Sequence, residues 1–360
     1  MKNKVGTTGL NIFSGVPVTA HNKGVVVLDE ANLFYFTRYS NADAAILIAG
    51  DKRYYICDKR VSEEAEELLE NYEITDVGAL SYVEKAVELA KASGVAELGY
   101  EDERISHREY LTLANSAGCA LTPADDEIRA LRAVKSEYEL ECVRSAQAVT
   151  DAVFEAILSY IVPGTSEREL KAFIDARMAE KGASPAFDTI VAFGANTSKP
   201  HAHAGDNRLK DRDVVTVDFG AKKEGYCSDM TRSFVYGGAC EEYVNLYEAV
   251  LEAQNAALAK LKAGMSGAEC HAVAKEILDA RGYGEYFTHS LGHSLGVEIH
   301  ETPALSPRNP LPIPLGALTS VEPGAYIPGK FGVRIEDMVV FEKDRVYNLT
   351  KSPKNLIILG

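Results

Sequence analysis

The sequence predicts two domains, a smaller α/β domain at residues 1–127 and a larger α+β domain at residues 128–360. Three observations predict this division. Strand-like and helix-like segments alternate in the first third of the chain, and a charged, proline-containing segment separates it from the rest. In the remainder, one order of elements recurs with a spacing of one hundred residues, which indicates an internal duplication.

The first domain alternates the two kinds of element. Runs rich in Val, Ile and aromatic residues at 24–29, 33–36, 44–49 and 53–57 predict strands, and residues 62–71 and 82–93 predict helices. Strands that alternate with helices are typical of a small α/β domain. The segment Thr-Pro-Ala-Asp-Asp-Glu at 122–127 predicts the boundary.

The second domain is predicted to consist of two similar halves. A long amphipathic helix is expected from Ser136 to Ile161, ending before Pro-Gly at 163–164. The segments at 164–169 and 264–269 each carry Ser-x-x-Glu, the capping box that begins a helix. Each follows a long helix and precedes a shorter one, and an aromatic residue comes next, at Phe187 or Phe287. Chance recurrence of a common cap is the alternative interpretation.

Two aspartates flank the first predicted hairpin of this domain. Asp218 lies in the apolar run Val-Val-Thr-Val-Asp-Phe-Gly at 214–220, which is typical of a buried strand, and Asp229 follows the turn residues at 222–225. Pairing Lys222 with Gly225 would set the two aspartates opposite each other on one side of the hairpin.

Two glutamates flank a second predicted hairpin. Residues 318–326 and 332–341 surround Pro-Gly-Lys at 328–330, and a symmetric pairing sets Glu322 opposite Glu336. Facing carboxylates repel, and a buried carboxylate is costly unless a cation neutralises it. A single buried acid usually has an Arg or Lys partner. Two matched pairs instead predict two divalent cations, with Mn²⁺ favoured and Zn²⁺ or Co²⁺ as alternatives once an imidazole joins.

Histidines supply that imidazole. Five of the eight fall in two segments, 201–203 and 289–300, and His293 is bracketed by glycines that allow close approach of backbone and metal. The acidic composition, with a net charge of −15, argues against a nucleic acid or an anionic membrane as partner. Six cysteines without C-x-x-C spacing predict reduced thiols. No long apolar run follows the start, so we expect a cytoplasmic protein.

These residues carry a resemblance to a known family. Asp218, Asp229, His293, Glu322 and Glu336, within Gly-Tyr-Cys-Ser-Asp-Met-Thr-Arg, Gly-His-Ser-Leu-Gly, Val-Glu-Pro-Gly-Ala-Tyr and Val-Arg-Ile-Glu-Asp, resemble the ligands of the dinuclear metallopeptidases of the pita-bread fold. The similarity covers about residues 130–360 and is greatest to the Xaa-Pro peptidases, aminopeptidase P and prolidase. The N-terminal segment resembles the creatinase-type domain that precedes these catalytic domains, although residues 1–23 lack the amphipathic opening helix expected there.

The resemblance implies a function and a role for each residue. It implies hydrolysis of the bond between an N-terminal residue and proline by a hydroxide that bridges two divalent metals. Glu322 would also move the proton, and His201 and His300 would orient the peptide. His203 is either a substrate-side residue or part of an exposed loop. Tyr326 and Arg334 would fix the strands that carry Glu322 and Glu336, with packing alone as the alternative. A proline-containing peptide is the implied partner, and a homodimer the implied assembly.

Two positions depart from the family pattern. Ser294 stands where Gly is more common, and Ala304 stands where some prolidases place an Arg that holds the dipeptide carboxylate. The second departure weakens a strict dipeptidase assignment, unless a basic residue such as Arg308 supplies the contact. Two further alternatives stay open: a methionine-aminopeptidase-like enzyme, which would use the same five ligands, and a non-peptidase relative or pseudoenzyme of the fold.

Overall fold

A computed structural model describes residues 22–41 and 43–360 of the chain. The chain divides into two compact units, one ending at Arg132 and the other spanning Ala133–Gly360. In the part of the chain that the structure describes, no helix is both long and apolar enough to cross a membrane. The segment before residue 22, for which the sequence predicts no amphipathic helix, lies outside the described residues.

The first unit is an α/β domain, as predicted. Its elements, in chain order, are β1 (Lys23–Val27), α1 (Glu30–Thr37), β2 (Ala44–Ala49), β3 (Lys52–Cys57), α2 (Ser62–Leu68), β4 (Glu73–Asp76), α3 (Tyr82–Ala92), β5 (Glu97–Tyr100), α4 (His107–Ser116), β6 (Ala120–Pro123) and α5 (Asp125–Ala133). One mixed six-stranded sheet has the order β4-β3-β2-β1-β5-β6. Its central strand β2 is buried throughout, which explains why it is apolar without alternation.

One predicted strand of this unit is wrong. Residues 33–36 belong to the helix α1. Asp29 starts this helix as its N-cap, accepting a hydrogen bond from the backbone N–H of Asn32 at 3.1 Å. Leu33, Tyr35 and Phe36 are all buried. A short helix that is apolar on most sides has the same composition as a buried strand, so periodicity does not separate the two.

The second unit contains four helices and fourteen strands among its described residues. In chain order they are α6 (Glu137–Tyr160), α7 (Glu167–Glu180), β7 (Ser184–Pro185), β8 (Ile190–Phe193), β9 (Val214–Phe219), β10 (Ala221–Lys223), β11 (Tyr226–Cys227), β12 (Met230–Tyr236), α8 (Glu241–Lys260), α9 (Gly267–Ala280), β13 (Gly292–Ser294), β14 (Glu301–Leu305), β15 (Leu318–Val321), β16 (Gly324–Ile327), β17 (Phe331–Arg334), β18 (Asp337–Phe341), β19 (Val346–Asn348) and β20 (Ile358–Leu359). Short 3₁₀ segments occupy Gly194–Ser198 and Gly284–Tyr286.

The predicted duplication is confirmed in the order of these elements. α6 begins after the cap Ser136 and ends before Ile161, as predicted. α7 and α9 each begin with the predicted capping box, in which a Ser backbone N–H donates to the Glu three residues later, at 2.7 Å in both helices. Each cap also forms a lone β-bridge, Ser166 with Arg208 and Ser266 with Pro312. Separate hydrophobic cores lie under α6 and α7 and under α8 and α9.

Alternation along β9 directs its acid away from the core. Val215, Val217 and Phe219 belong to the core under α6 and α7. Because successive side chains of a strand point to opposite sides, Asp218 projects from the other side of the sheet, which has the order β20-β12-β9-β8. The second half builds a corresponding sheet with the order β14-β13-β15-β18-β19.

The register predicted for the first hairpin is wrong by two residues. Glu224 and Gly225 both take positive φ angles, of 52° and 79°, and form a two-residue turn. Lys223 therefore pairs with Tyr226, and Asp218 lies opposite Thr231 instead of Asp229. A slip of two residues leaves each side chain on its own side of the sheet, so both aspartates still line one cavity.

The register predicted for the second hairpin is confirmed. Val321 pairs with Asp337 on one side of the two glutamates, and Gly324 pairs with Arg334 on the other. Both pairs fit the symmetric arrangement around residues 328–330. Glu322 and Glu336 therefore occupy facing positions between the strand pairs β15–β18 and β16–β17.

Candidate metal centre

The predicted site residues surround one cavity of about 530 Å³ in the second unit. The five predicted metal ligands line it: Asp218, Asp229, His293, Glu322 and Glu336. His201, His203, His300 and Arg334 line the same cavity. Tyr326 lies behind its wall, where its hydroxyl accepts a hydrogen bond from Arg334 at 2.6 Å.

The ligand candidates lie where strands end or are interrupted. Asp218 is near the end of β9, Asp229 directly precedes β12, Glu322 follows β15 and Glu336 precedes β18. His293 is in β13, next to Gly292. A Cβ atom at Gly292 would lie 2.1 Å from the carbonyl oxygen of Ser320, so only glycine lets β13 approach β15 this closely.

The imidazole of His293 faces two of the carboxylates. Its Nε2 atom lies 3.5 Å from Oδ2 of Asp229 and 3.5 Å from Oε1 of Glu322. Its Nδ1 lies 3.1 Å from the carbonyl oxygen of Ser294, and because a carbonyl only accepts, Nδ1 carries the proton. The Nε2 lone pair therefore points at the acids. Ligand atoms of Asp229, His293 and Glu336 all lie within 4.8 Å of one another.

Burial and mutual repulsion disfavour the charged forms in this cluster. Burial, followed by the neighbouring carboxylates of Asp218 and Glu322, raises the pKa of Asp229 well above its usual range. Burial also raises the pKa of Glu336, and Asp229 adds to it. Burial raises the pKa of Glu322 and lowers the pKa of His293. Neutral imidazole is the form that binds a metal.

Two buried carboxylate oxygens lack a hydrogen-bond partner among the described residues, Oδ1 of Asp218 and Oδ1 of Asp229. Buried oxygens of this kind are costly unless they are paired or coordinate a metal. Four carboxylates and one imidazole form a donor set that suits a hard or borderline divalent cation. The residues present thus fit a divalent metal centre.

A hydrogen-bonded network holds the acids in place. Arg334 donates from Nη2 to Oδ2 of Asp218 at 2.5 Å and from Nε to Oγ1 of Thr231 at 2.9 Å. Thr231 in turn donates to Oε2 of Glu336 at 2.7 Å. The buried guanidinium of Arg334 is therefore bonded directly to Asp218 and, through Thr231, to Glu336, so it connects one acid of each predicted pair. It also donates to the hydroxyl of Tyr326.

Three residues of this region were not among the predicted site residues. His289 lines the cavity and its Nε2 lies 3.1 Å from the hydroxyl of Tyr326. Ser320 donates to Oε1 of Glu322 at 3.1 Å, and Thr231 joins Arg334 to Glu336. The sequence carries a signal for two of the three: His289 belongs to the same histidine-rich segment as His293, and Ser320 lies two residues before Glu322.

The substrate-side candidates lie at the open part of the cavity. His201 and His203 are exposed residues of one loop. The ring of His300 lies 4.5 Å from that of His293, centroid to centroid, and burial lowers the pKa of His300. Ala304 lines the cavity. Arg308 is exposed and is not among the lining residues.

A fold of two similar halves with buried acids and an imidazole around a cavity fits a metal-dependent enzyme. The model of metallopeptidase family M24 matches residues 141–343, and that of the creatinase/prolidase N-terminal domain matches residues 19–134. The chain belongs to metallopeptidase family M24, whose members use divalent metals. The resemblance inferred from the sequence is thereby confirmed, as are the pita-bread catalytic domain and its creatinase-like N-terminal domain.

Several known proteins are similar over almost the whole chain. An Xaa-Pro dipeptidase of Pyrococcus horikoshii is 35% identical, covering 92% of this chain and 94% of its own. The structure of an Xaa-Pro dipeptidase from Bacillus anthracis superposes with a TM-score of 0.90 at 36% identity, covering 93% and 95%. That of an X-Pro aminopeptidase from Thermotoga maritima has a TM-score of 0.89 at 33% identity, covering 94% and 97%.

Proposed function

We propose that this metallopeptidase hydrolyses the bond between an N-terminal residue and proline, using two divalent metal ions. The observation that carries the proposal is the convergence of four carboxylates and one imidazole on one cavity, where two buried carboxylate oxygens lack a partner. Preference for proline is supported by the relatives, since proteins titled Xaa-Pro dipeptidase and X-Pro aminopeptidase match over more than nine-tenths of the chain.

Five residues would hold the ions. Asp218 and Asp229 would anchor one, His293 and Glu322 the other, and Glu336 would bridge them. A pair of divalent ions supplies two effects when bound: it makes water nucleophilic near neutral pH and polarises the scissile carbonyl. Mn²⁺ is the ion that a shell of mostly carboxylates favours, and Zn²⁺ or Co²⁺ would also fit the imidazole.

The remaining chemistry belongs to protein side chains. Water adds to the scissile carbonyl carbon, the bond to the proline nitrogen breaks, and that nitrogen gains a proton. Glu322 is the candidate to transfer this proton, because its carboxyl lies inside the cluster and accepts a bond from Ser320. His201 and His300 line the cavity outside the cluster, where their N–H groups can hold the peptide and stabilise developing negative charge.

Three further residues would support these groups. Arg334 donates one short hydrogen bond to Asp218 and another to the hydroxyl of Tyr326, as expected for residues that orient metal ligands. His203 lines the cavity beside His201 and would contact the peptide. A homodimer and a cytoplasmic location complete the proposal, and both follow from the family resemblance and the composition.

The test combines metal analysis with a substrate panel. Protein purified without chelator should contain about two divalent ions per chain and hydrolyse Ala-Pro with Mn²⁺. Met-Ala is the matched substrate for a methionine-aminopeptidase-like enzyme, an alternative that the creatinase-type N-terminal domain disfavours. Faster hydrolysis of Met-Ala than of Ala-Pro would contradict the proposal, and so would the absence of bound metal.

A further inference from the structure

We propose that Asp188 gives the enzyme a preference for substrates whose first residue is cationic, an inference that rests on the proposed Xaa-Pro peptidase function. Asp188 lines the same cavity as the metal-ligand candidates. It is not part of their cluster, and the chemistry described above gives it no role.

The sheet places Asp188 beside the first acid pair. Ile190, two residues later, pairs directly with Asp218 across β8 and β9. On the other side of Asp188, the backbone N–H of Ala186 donates to the carbonyl oxygen of Gly220 at 2.8 Å. The chain therefore continues alongside β9 through Asp188. Both Asp188 and Ile190 line the cavity, together with Phe187.

The charges around the cavity leave Asp188 as an extra acid. The lining contains five carboxylates, and four of them are the metal-ligand candidates. Arg334 is the one Lys or Arg among the lining residues, and its guanidinium is bonded to Asp218 at 2.5 Å. Two divalent ions and Arg334 would carry five positive charges against the five lining carboxylates, but all of these cations belong to the cluster. Asp188 lies outside the cluster, so its carboxylate is the one placed to attract a cation from the substrate.

Asp188 forms only a weak ion pair within the protein. Lys171 bonds its Oδ1 atom at 2.6 Å and also lies 3.7 Å from Asp175. The side chain of Asp188 is 79% exposed, and an exposed ion pair contributes little. Among the described residues no donor is bonded to the second oxygen, Oδ2. A guanidinium or ammonium group can therefore bind there or displace Lys171.

The substrate residue concerned is the first one. In an Xaa-Pro dipeptide the second residue is fixed as proline, so only the first side chain can carry a positive charge. Asp188 is separated by at most about 7 Å of chain from Ile190, the pairing partner of Asp218, so a long arginine or lysine side chain can extend towards it from a peptide bond at the metal cluster. An acid at that wall would favour Arg-Pro over a neutral dipeptide of the same size.

The test compares Arg-Pro with citrulline-Pro, which has nearly the same shape without the charge. The quantity measured is the ratio of kcat/KM for the two dipeptides with Mn²⁺ at low ionic strength. Asp188→Asn should lower the ratio about two- to fivefold, the scale of one exposed ion pair. Lys171→Met should raise it, because it frees the carboxylate. Added salt should reduce the ratio in the wild type.

A matched Asp–Lys pair provides the control. Lys275 and Asp279 form an exposed ion pair on α9, 2.5 Å apart, and neither residue lines the cavity. Lys275→Met and Asp279→Asn alter the net charge in the same way and should leave the ratio unchanged.

An unchanged ratio in Asp188→Asn would overturn the proposal. If kcat/KM falls equally for both dipeptides, the ratio is unchanged and Asp188 contacts a group that they share. A wild-type enzyme that cleaves Met-Ala but none of Ala-Pro, Arg-Pro and citrulline-Pro would instead overturn the Xaa-Pro function, and this inference with it. Cleavage of Ala-Pro and Arg-Pro without the charge effect would overturn this inference alone.

Discussion

Replacing Thr231 with valine removes one hydroxyl from the centre of the acid network at almost constant shape. Thr231 is fully buried in β12. Its oxygen accepts from Nε of Arg334 at 2.9 Å and donates to Oε2 of Glu336 at 2.7 Å. Valine would leave both of these groups without that partner in a buried position.

The expected cost follows from these two bonds. A hydrogen bond to a charged group contributes about 1.5–3 kcal/mol, and two bonds in one network are not additive. We therefore expect Thr231→Val to lower the free energy of unfolding by about 3 kcal/mol. Because Glu336 is a candidate metal ligand, metal affinity should also fall about 10- to 100-fold, the range for residues that orient ligands.

Two assays measure these effects, and Thr319→Val is the matched control. Thr319 is equally buried, in β15, but its hydroxyl has no partner among the described residues, so valine should leave stability unchanged or increase it. Urea unfolding of the metal-free proteins gives the stability, and competition with a fluorescent chelator gives the Mn²⁺ affinity. Equal effects of the two substitutions on both quantities would refute the reasoning.

Four further predictions concern the metal ligands, the substrate side and pH. Asp229→Ala and Glu336→Ala should abolish hydrolysis and lower the metal content, because each removes a ligand. His300→Ala should keep both ions but lose at least about 10²-fold in kcat, the scale of one oriented donor. With Ala304 in place of a cation, kcat/KM for Ala-Pro-Ala should be comparable to that for Ala-Pro, since a charge-assisted carboxylate contact would contribute about 1.5–3 kcal/mol, roughly ten- to a hundredfold. The raised pKa values of Asp229 and Glu336 mean that the metal-free fold binds protons more tightly than the unfolded chain. The contribution of these two acids to its stability should therefore fall as pH rises from about 4, the ordinary carboxyl value, through the raised values. The lowered pKa values of His293 and His300 act in the opposite direction up to about pH 6.5, so the prediction concerns the acids alone.

Each of these predictions has a contradicting outcome. Full activity with unchanged metal content in Asp229→Ala would remove that residue from the ligand set. Loss of metal in His300→Ala would show that this histidine is a ligand. A hundredfold preference for Ala-Pro over Ala-Pro-Ala would indicate another anchor for the dipeptide carboxylate. Urea unfolding of the metal-free wild type and of Glu336→Gln between about pH 5 and pH 8 checks the last prediction, because both proteins contain the same histidines. The stability of the wild type should fall relative to that of the variant as pH rises, and a constant difference would contradict the prediction.

The second hairpin could be predicted from sequence because its turn is symmetric and its flanking strands follow one register. The first hairpin could not, because its register depends on Glu224. Positive φ at both Glu224 and Gly225 makes a tight two-residue turn, and glutamate gives little signal for that conformation. The predicted grouping of Asp218 with Asp229 survives since the error is an even number of residues.

The acids could be predicted because carboxylates within or beside apolar, strand-like runs are unusual in a sequence. His293 could be predicted because glycines bracket it in a histidine-rich segment. The network behind them could not, because Thr231, His289 and Ser320 are ordinary residue types whose importance depends on contacts across the sheets. Thr231 and Glu336 are separated by more than one hundred residues in the chain and meet at 2.7 Å. Pairing of this kind is a property of the tertiary structure, for which a single sequence has no local signal.

Counting the metal ions bound per chain, with Ala-Pro turnover measured on the same samples, tests the central claim most directly. Wild-type protein stripped by chelator and titrated with Mn²⁺ should bind about two ions, and hydrolysis should appear as the sites fill. Asp229→Ala, measured in parallel, should bind fewer ions and show no turnover. Full Ala-Pro hydrolysis by protein that binds no divalent metal would contradict the account, and so would two bound ions with hydrolysis of Met-Ala but not of Ala-Pro.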